Sequence, residues 1–293
     1  MEDYAHPNSL VDTRWIAEHS REQGIRLVEI LWGDSPFFGR PAYASGHLPG
    51  ALAWDFETDL QDPARRDIVD QPGLEALLAR SGIAPGTTIV VYSGLTNLLA
   101  TFAFWVLKIY GHRDVRLLDC GRQKWLDEGR PTEQDAPAVA PSTYQARTPD
   151  WSLRASRADI LGALGQADRR LVDARSAEMF AGQENAGAAR GGHIPGAVNL
   201  PAVREINPDG SFRAWRVPTL RADGTFRPAP ELQALVENLG ITPEREIITY
   251  CVRGGLSTHA WFMLTQLLGY PRVREYDRSW AEWGNLPEVP IEN

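Results

Sequence analysis

The sequence predicts an α/β protein of two tandem domains, each a parallel-stranded sheet flanked by helices on both faces. Three observations carry that prediction. The hexapeptide Gly46-His47-Leu48-Pro49-Gly50-Ala51 returns 146 residues later as Gly192-His193-Ile194-Pro195-Gly196-Ala197, and a repeat of that length is a duplicated domain rather than a solenoid unit. Within each copy, short apolar runs alternate with helical segments, the order that builds a parallel sheet under helices. A chain of 293 residues is also long enough to bury two cores.

The elements follow in order. Leu27-Val28-Glu29 and Leu171-Val172-Asp173 read as strands that run into an acid, each upstream of its hexapeptide. Helical patterns cover 73–81, 98–110 and 230–239. Farther along, Gly82-Ile83-Ala84-Pro85 returns as Gly240-Ile241-Thr242-Pro243, now 158 residues later, and the same offset aligns the strands 89–92 and 247–250, Gly111 with Gly269, and Trp125 with Trp283. The second copy therefore carries about twelve extra residues, assigned to a surface loop within 205–227 that is rich in Asp, Gly and Pro. Residues 130–150 are rich in Pro, Ala and polar groups without periodicity and read as a linker wrapping over the surface. The expected boundaries are 1–132, a linker at 133–150, and 151–293.

Composition excludes several classes. The net charge of −8, with no run of like charges, offers no basic face for nucleic acid. The N-terminal residues lack the basic and apolar regions of a secretory signal, and no apolar stretch has the length of a membrane span. Two cysteines, Cys120 and Cys251, make no disulfide framework, so reduced thiols and a cytoplasmic location are expected. The six histidines are scattered without zinc-ligand spacing, so no metal is expected.

The chemistry concentrates in 247–268. An apolar strand, Ile247-Ile248-Thr249-Tyr250, ends on Cys251; the loop Val252-Arg253-Gly254-Gly255-Leu256 comes next; Ser257-Thr258 then opens a helical pattern. A cysteine at that point faces backbone N–H groups and the positive end of a helix, which favour thiolate over thiol, and Arg253 adds a full charge nearby. The matching position in the first copy is Ser93, followed by Gly94-Leu95-Thr96-Asn97 without the arginine or the paired glycines.

Two anion-handling chemistries use such a cradle. Phosphate-ester hydrolysis places an arginine after five intervening residues to clamp the phosphate bidentately, and here that position is Ser257. Sulfur transfer needs only that the loop stabilise a thiolate and then a persulfide, both terminal anions, with Arg253 drawing in an anionic donor.

The two halves resemble tandem rhodanese domains, and the whole chain is similar to the two-domain thiosulfate sulfurtransferases over nearly all of residues 10–290. The marks are the two hexapeptides, the paired strand-and-acid segments, the Cys251 loop in the second copy alone, the segments TDLQDPARRD and LLDCGRQKW, and LLGYPRVREYDRSWAEWGN near the end. The resemblance implies two tandem rhodanese-like domains, the first inert at Ser93 and the second carrying a persulfide on Cys251. Its six-residue loop, Cys251 to Leu256, has the length that the family uses for sulfur. It implies a substrate site of Val252, Arg253, Gly254, Gly255 and Leu256, with Arg190 and secondarily Arg175 holding the donor anion. A small sulfur donor and acceptor are the implied partners, thiosulfate giving sulfur to cyanide or a thiol, and no cofactor is implied because sulfur is itself the transferred group. Two departures bear on the donor: Val252 stands where thiosulfate users carry a basic residue, and Leu256 where Thr or Arg is usual. A 3-mercaptopyruvate donor, or a carrier module loaded by a protein partner, therefore stands beside thiosulfate.

His47 and His193, present in both copies, are read as hydrogen-bonding residues of a turn. His259 is expected to be a packed or capping residue, and Trp125, Trp280 and Trp283 to be anchors of the core or of a domain interface. Cys120, at a position where the family usually has glycine, is expected to be unreactive.

Overall fold

In the computed structural model the chain divides into two compact units. One is Asn8–Trp151 with Ala222–Thr225; the other is Ser152–Arg221 and Phe226–Asn293, with the N-terminal residues up to Pro7. The structure describes residues 3–293 apart from 63, 65, 66, 95 and 207–211, so Leu95 and the middle of the expected 205–227 loop lie outside the described residues. Residues 133–150 belong to the first unit and run over it without regular structure: the N–H of Ser142 donates to Ala79 O at 2.9 Å, that of Arg147 to Tyr110 O at 3.2 Å, and that of Asp150 to Ile109 O at 2.7 Å.

The first unit holds β1 (Leu10–Val11), β2 (Ile25–Leu31), β3 (Leu52–Asp55), β4 (Thr88–Ser93) and β5 (Val115–Leu118) in the order β1-β5-β4-β2-β3, every neighbouring pair parallel. The second holds β6 (Arg169–Asp173), β7 (Val198–Asn199), β8 (Glu246–Tyr250) and β9 (Val273–Glu275) in the order β9-β8-β6-β7, again parallel. Where β1 borders β5, the second unit has the isolated bridge between Arg154 and Glu275. The repeat holds to the residue: Val91 pairs with Leu117, and Thr249, 158 residues later, pairs with Glu275. Parallel sheets are covered on both faces, and in β9, an end strand of its sheet, Glu275 is fully buried.

Four of the helices are numbered here. α1 (Gln71–Arg80) starts two residues earlier than its apolar period suggests, because Asp70 caps it by accepting the N–H of Gly73 at 2.9 Å. α2 (Leu98–Ile109) is buried almost all round, as its unbroken apolar sequence requires. α3 (Ala229–Glu237) begins with proline in its first turn. α4 (Ser257–Phe262) widens at once into a π-helical stretch, Met263–Leu267, a feature often found beside functional sites.

The hexapeptide turns repeat bond for bond. His47 exchanges backbone hydrogen bonds with Glu133, and His193 with Glu292. The imidazole Nδ1 meets Tyr43 O at 3.1 Å in one and Phe180 O at 2.8 Å in the other, each ring stacked on the aromatic that supplies the carbonyl. The next N–H, of Leu48 or Ile194, donates to the hydroxyl of Tyr92 or Tyr250 on the central strand. Both histidines thus hold a turn against its sheet. The expected loop at 205–227 differs: Val203–Ile206 and Phe212–Arg216 form an antiparallel pair, consistent with the β-branched and aromatic residues Val203, Ile206, Phe212 and Trp215. Among the described residues, no helix is long and apolar enough to cross a membrane, and no group of three His, Cys, Asp or Glu is placed to hold a metal ion.

Candidate active site

Cys251 comes directly after β8, at the carboxyl end of the central strand, where open α/β sheets bind their ligands. Its thiol is buried. The loop is clasped by residues distant in sequence: the N–H of Cys251 donates to Ser279 Oγ at 3.0 Å, its carbonyl accepts from the N–H of Trp280 at 3.1 Å, and Val252 O accepts from Ala281 at 3.0 Å. Ser279 adopts φ +49° to do this, a conformation that costs a non-glycine residue about 1–3 kcal/mol. Gly254, at φ +82°, turns the loop where a side chain would strain it, and its carbonyl accepts from the N–H of Thr258 at 3.1 Å. Arg253 is exposed; Val252, Gly255 and Leu256 are half-buried.

The N–H groups of Leu256 and Ser257 and the Ser257 hydroxyl pull the thiol down, as hydrogen-bond donors do, and the same hydroxyl lies 3.3 Å from Gly254 O. The donors' effect on the thiol is nonetheless outweighed. Burial pushes the Cys251 thiol up, and a negative charge on Glu275 would act in the same direction, against the downward pull of those donors. Desolvation thus opposes the thiolate that the loop's donors favour. Glu275 is itself fully buried, its two carboxyl oxygens bonded to the hydroxyls of Ser257 and Thr249. Burial, with a smaller contribution from Asp277, holds its carboxyl well above the usual carboxylate range.

The two arginines expected to hold a donor are occupied inside the unit. Arg175 is wholly buried and grips Asp173 through Nε at 3.0 and 3.1 Å and through a terminal nitrogen at 2.6 Å. It also donates to Gly192 O at 2.7 Å and lies 4.1 Å over the Trp280 ring. Its guanidinium is 0% exposed and serves a buried acid, the arrangement of a structural ion pair. Arg190, half-buried, donates to the carbonyls of Val289 (3.0 Å), Trp283 (3.5 Å) and Leu286, tying down the C-terminal segment. To hold a donor it would have to leave those carbonyls.

Other residues fall where the sequence puts them. His259, in the first turn of α4, stacks on Phe226 and meets Thr219 Oγ1 at 2.8 Å; burial holds it down to about 3, so it is neutral. Cys120 lies in the first unit's core beside Trp125, and burial pushes its thiol far up. Trp280 and Trp283 are fully buried in the second unit's core. Sequence reasoning missed Thr249, Glu275 and Ser279 as members of the site. One signal was available: Glu275 stands at the place where the first copy has Leu117.

A family model described as the rhodanese-like domain matches residues 3–128 and 156–286. The chain is 41% identical over 298 residues to the sulfur carrier protein TtuD of Thermus thermophilus, covering 98% of each. It is 39% identical to the thiosulfate sulfurtransferase of Corynebacterium glutamicum, covering 100% of this chain and 93% of that one. Among solved structures, an anaerobic ergothioneine biosynthesis enzyme from Chlorobium limicola, in complex with its natural substrate trimethyl histidine, superposes with a TM-score of 0.84 at 25% identity, over 100% of this chain and 72% of that one.

Proposed function

The chain belongs to the family of rhodanese-like domains, which it carries twice, and from that premise we propose that it is a sulfurtransferase working by double displacement through a persulfide on Cys251. The Cys251 thiolate attacks the outer, sulfane sulfur of thiosulfate; the S–S bond breaks, sulfite leaves with the bonding pair, and the sulfur stays on the enzyme. Cyanide or a thiolate then attacks that outer sulfur and restores the thiolate. The observation that carries this reading is the six-residue loop with a buried cysteine, N–H donors aimed at its sulfur and Ser257 where a phosphate clamp would need arginine. Arg253, exposed on the rim of the loop, draws in the anionic donor.

A second reading is supported by the similarity to a sulfur carrier protein: Cys251 takes its sulfur from a protein persulfide and passes it on, with little turnover of small donors. One experiment addresses both. The protein is incubated with thiosulfate, with 3-mercaptopyruvate, or with a desulfurase and cysteine, and then weighed intact. A gain of one sulfur from thiosulfate, absent in Cys251→Ser, is expected, with kcat/KM higher for thiosulfate than for 3-mercaptopyruvate. Loading by the desulfurase alone would replace the enzyme reading with the carrier one, and an equal gain on Cys251→Ser would sink both.

A further inference from the structure

The polar network under Cys251 has four members, and the other unit has none of them. At the positions 158 residues earlier, Val91 stands for Thr249, Leu99 for Ser257, Leu117 for Glu275 and Gly121 for Ser279. The correspondence is structural as well as numerical, because the ladders pair Val91 with Leu117 and Thr249 with Glu275 in the same register. A buried carboxyl is costly unless its oxygens are bonded. The fold does not demand one here, since the first unit builds the same strand with leucine. The side-chain bonds of Glu275 lead towards the loop or its strand: one oxygen to Ser257, whose hydroxyl lies 3.3 Å from the loop carbonyl of Gly254 and pulls the Cys251 thiol down, and the other to Thr249, two residues before Cys251.

We propose that Glu275 is a positioning residue for Cys251: as an uncharged carboxylic acid it donates to Ser257 Oγ and so directs the Ser257 O–H onto the sulfur. A hydroxyl has one hydrogen to give. If Glu275 were ionised it would take that hydrogen for itself and set a second negative charge beside the sulfur, and both effects oppose a thiolate. As a neutral donor it reverses both. Glu275 keeps its proton throughout; when Cys251 ionises, the S–H proton leaves to solvent. The groups facing Glu275 fit a neutral state. Thr249 from β8 and Ser257 from α4 are uncharged. Asp277 is held bidentately by Arg154 at 2.7 and 2.8 Å, and Arg274 of β9 turns to Asp159 and Glu246 at 2.9 and 3.4 Å. His259, also from α4, is neutral and turned to Thr219. Burial, which holds this carboxyl well above the usual range, acts in the same sense.

The inference deepens the persulfide reading and rests on it for its consequence in turnover, but its test uses no sulfur donor. The rate of Cys251 alkylation by iodoacetamide is measured by intact mass across pH, with Cys251→Ser as the blank. Glu275→Gln retains an uncharged donor, so its midpoint should stay within about 0.3 pH unit of wild type. Glu275→Leu, which installs the other unit's residue, should raise the midpoint by about one unit and slow alkylation at neutral pH about tenfold. Ser257→Ala should do the same, and the double variant should add little to either. An infrared band of a protonated carboxyl in the wild-type protein at neutral pH, lost in Glu275→Gln, checks the protonation state even if the leucine variant fails to fold. Equal shifts in the glutamine and leucine variants, a lower midpoint in Glu275→Gln, or absence of the band would overturn the proposal. Failure of sulfur loading while the alkylation pattern holds would instead overturn the sulfur-transfer reading and leave this one standing.

Discussion

In the first unit the central strand ends on Ser93, whose hydroxyl donates to Thr96 O and whose N–H donates to Asn97 Oδ1 at 3.2 Å, while the Asn97 amide donates to Leu118 O. In the second unit the same strand end leads into Cys251, and its N–H goes to Ser279, 28 residues away. The first loop satisfies its strand-end N–H from within, shares with the second the outside clasp on the next carbonyl, where Gly94 O accepts from the N–H of Gln123 at 3.1 Å as Val252 O does from Ala281, and is overlain by the segment at 37–38; a Cβ on Gly94 would lie 2.9 Å from Phe37 O and 3.2 Å from Phe38. In the second the strand-end N–H is met from outside the loop, by Ser279. One sheet therefore supports two loops that share a clasp, and the difference lies in where the strand-end N–H is satisfied: by Asn97 in the first unit and by Ser279 in the second.

The units differ in a second way beneath the loops. Each has an acid on the strand beside the central one, a tyrosine on the central strand, and a buried arginine. In the first, Glu29 pairs with Arg122 at 2.8 Å; in the second, Asp173 pairs with Arg175 at 2.6 Å, and Trp280 occupies the position that matches Arg122. Burial raises Glu29 to about 7 despite Arg122, so this pair is only partly ionic at neutral pH.

Exchanging the nucleophile is the sharpest way to break the comparison. The double variant Cys251→Ser/Ser93→Cys should take up no sulfur from thiosulfate and lose activity by on the order of a thousandfold or more, because the first loop is closed through Asn97 and Thr96. Sulfur uptake by that variant, read by intact mass, would show that any cysteine at this strand end suffices. Next in size is the arginine deletion. Arg175→Ala should destabilise by about 3–5 kcal/mol, since it strands a fully buried aspartate, and Arg122→Ala should cost less because Glu29 can take up a proton instead. Urea unfolding of both variants near neutral pH checks the order; equal losses would contradict it.

The smallest effect concerns pH. Glu29 binds its proton more tightly when folded, with a value of about 7 against 4.5, so the folded state holds more protons across that window and stability falls as pH rises through it. The contribution is fully present below about pH 4.5 and lost by about pH 7, amounting to roughly 3 kcal/mol at most. Glu29→Gln should flatten that dependence in urea midpoints measured across the window. An unchanged slope would mean that Arg122 keeps Glu29 ionised.

The duplication, the parallel α/β order and the place of the proposed nucleophile were legible in the sequence because each is a local pattern. A hexapeptide recurs, apolar runs of strand length alternate with helical ones, and a cysteine stands between a strand and a glycine loop. The expected tasks of His47 and His193 were legible for the same reason, as features shared by the copy with the thiol and the copy without it. What the tertiary structure decided was which charges meet. Arg175 lies two residues from Asp173, yet only the packing of Trp280 over it shows that the pair is sealed from solvent. Ser279 and Glu275 come to Cys251 and Ser257 from 28 and 18 residues away, through a parallel ladder whose register no local pattern announces. Burial, too, is a property of the whole fold, and it is burial that pushes both the Cys251 thiol and the Glu275 carboxyl up.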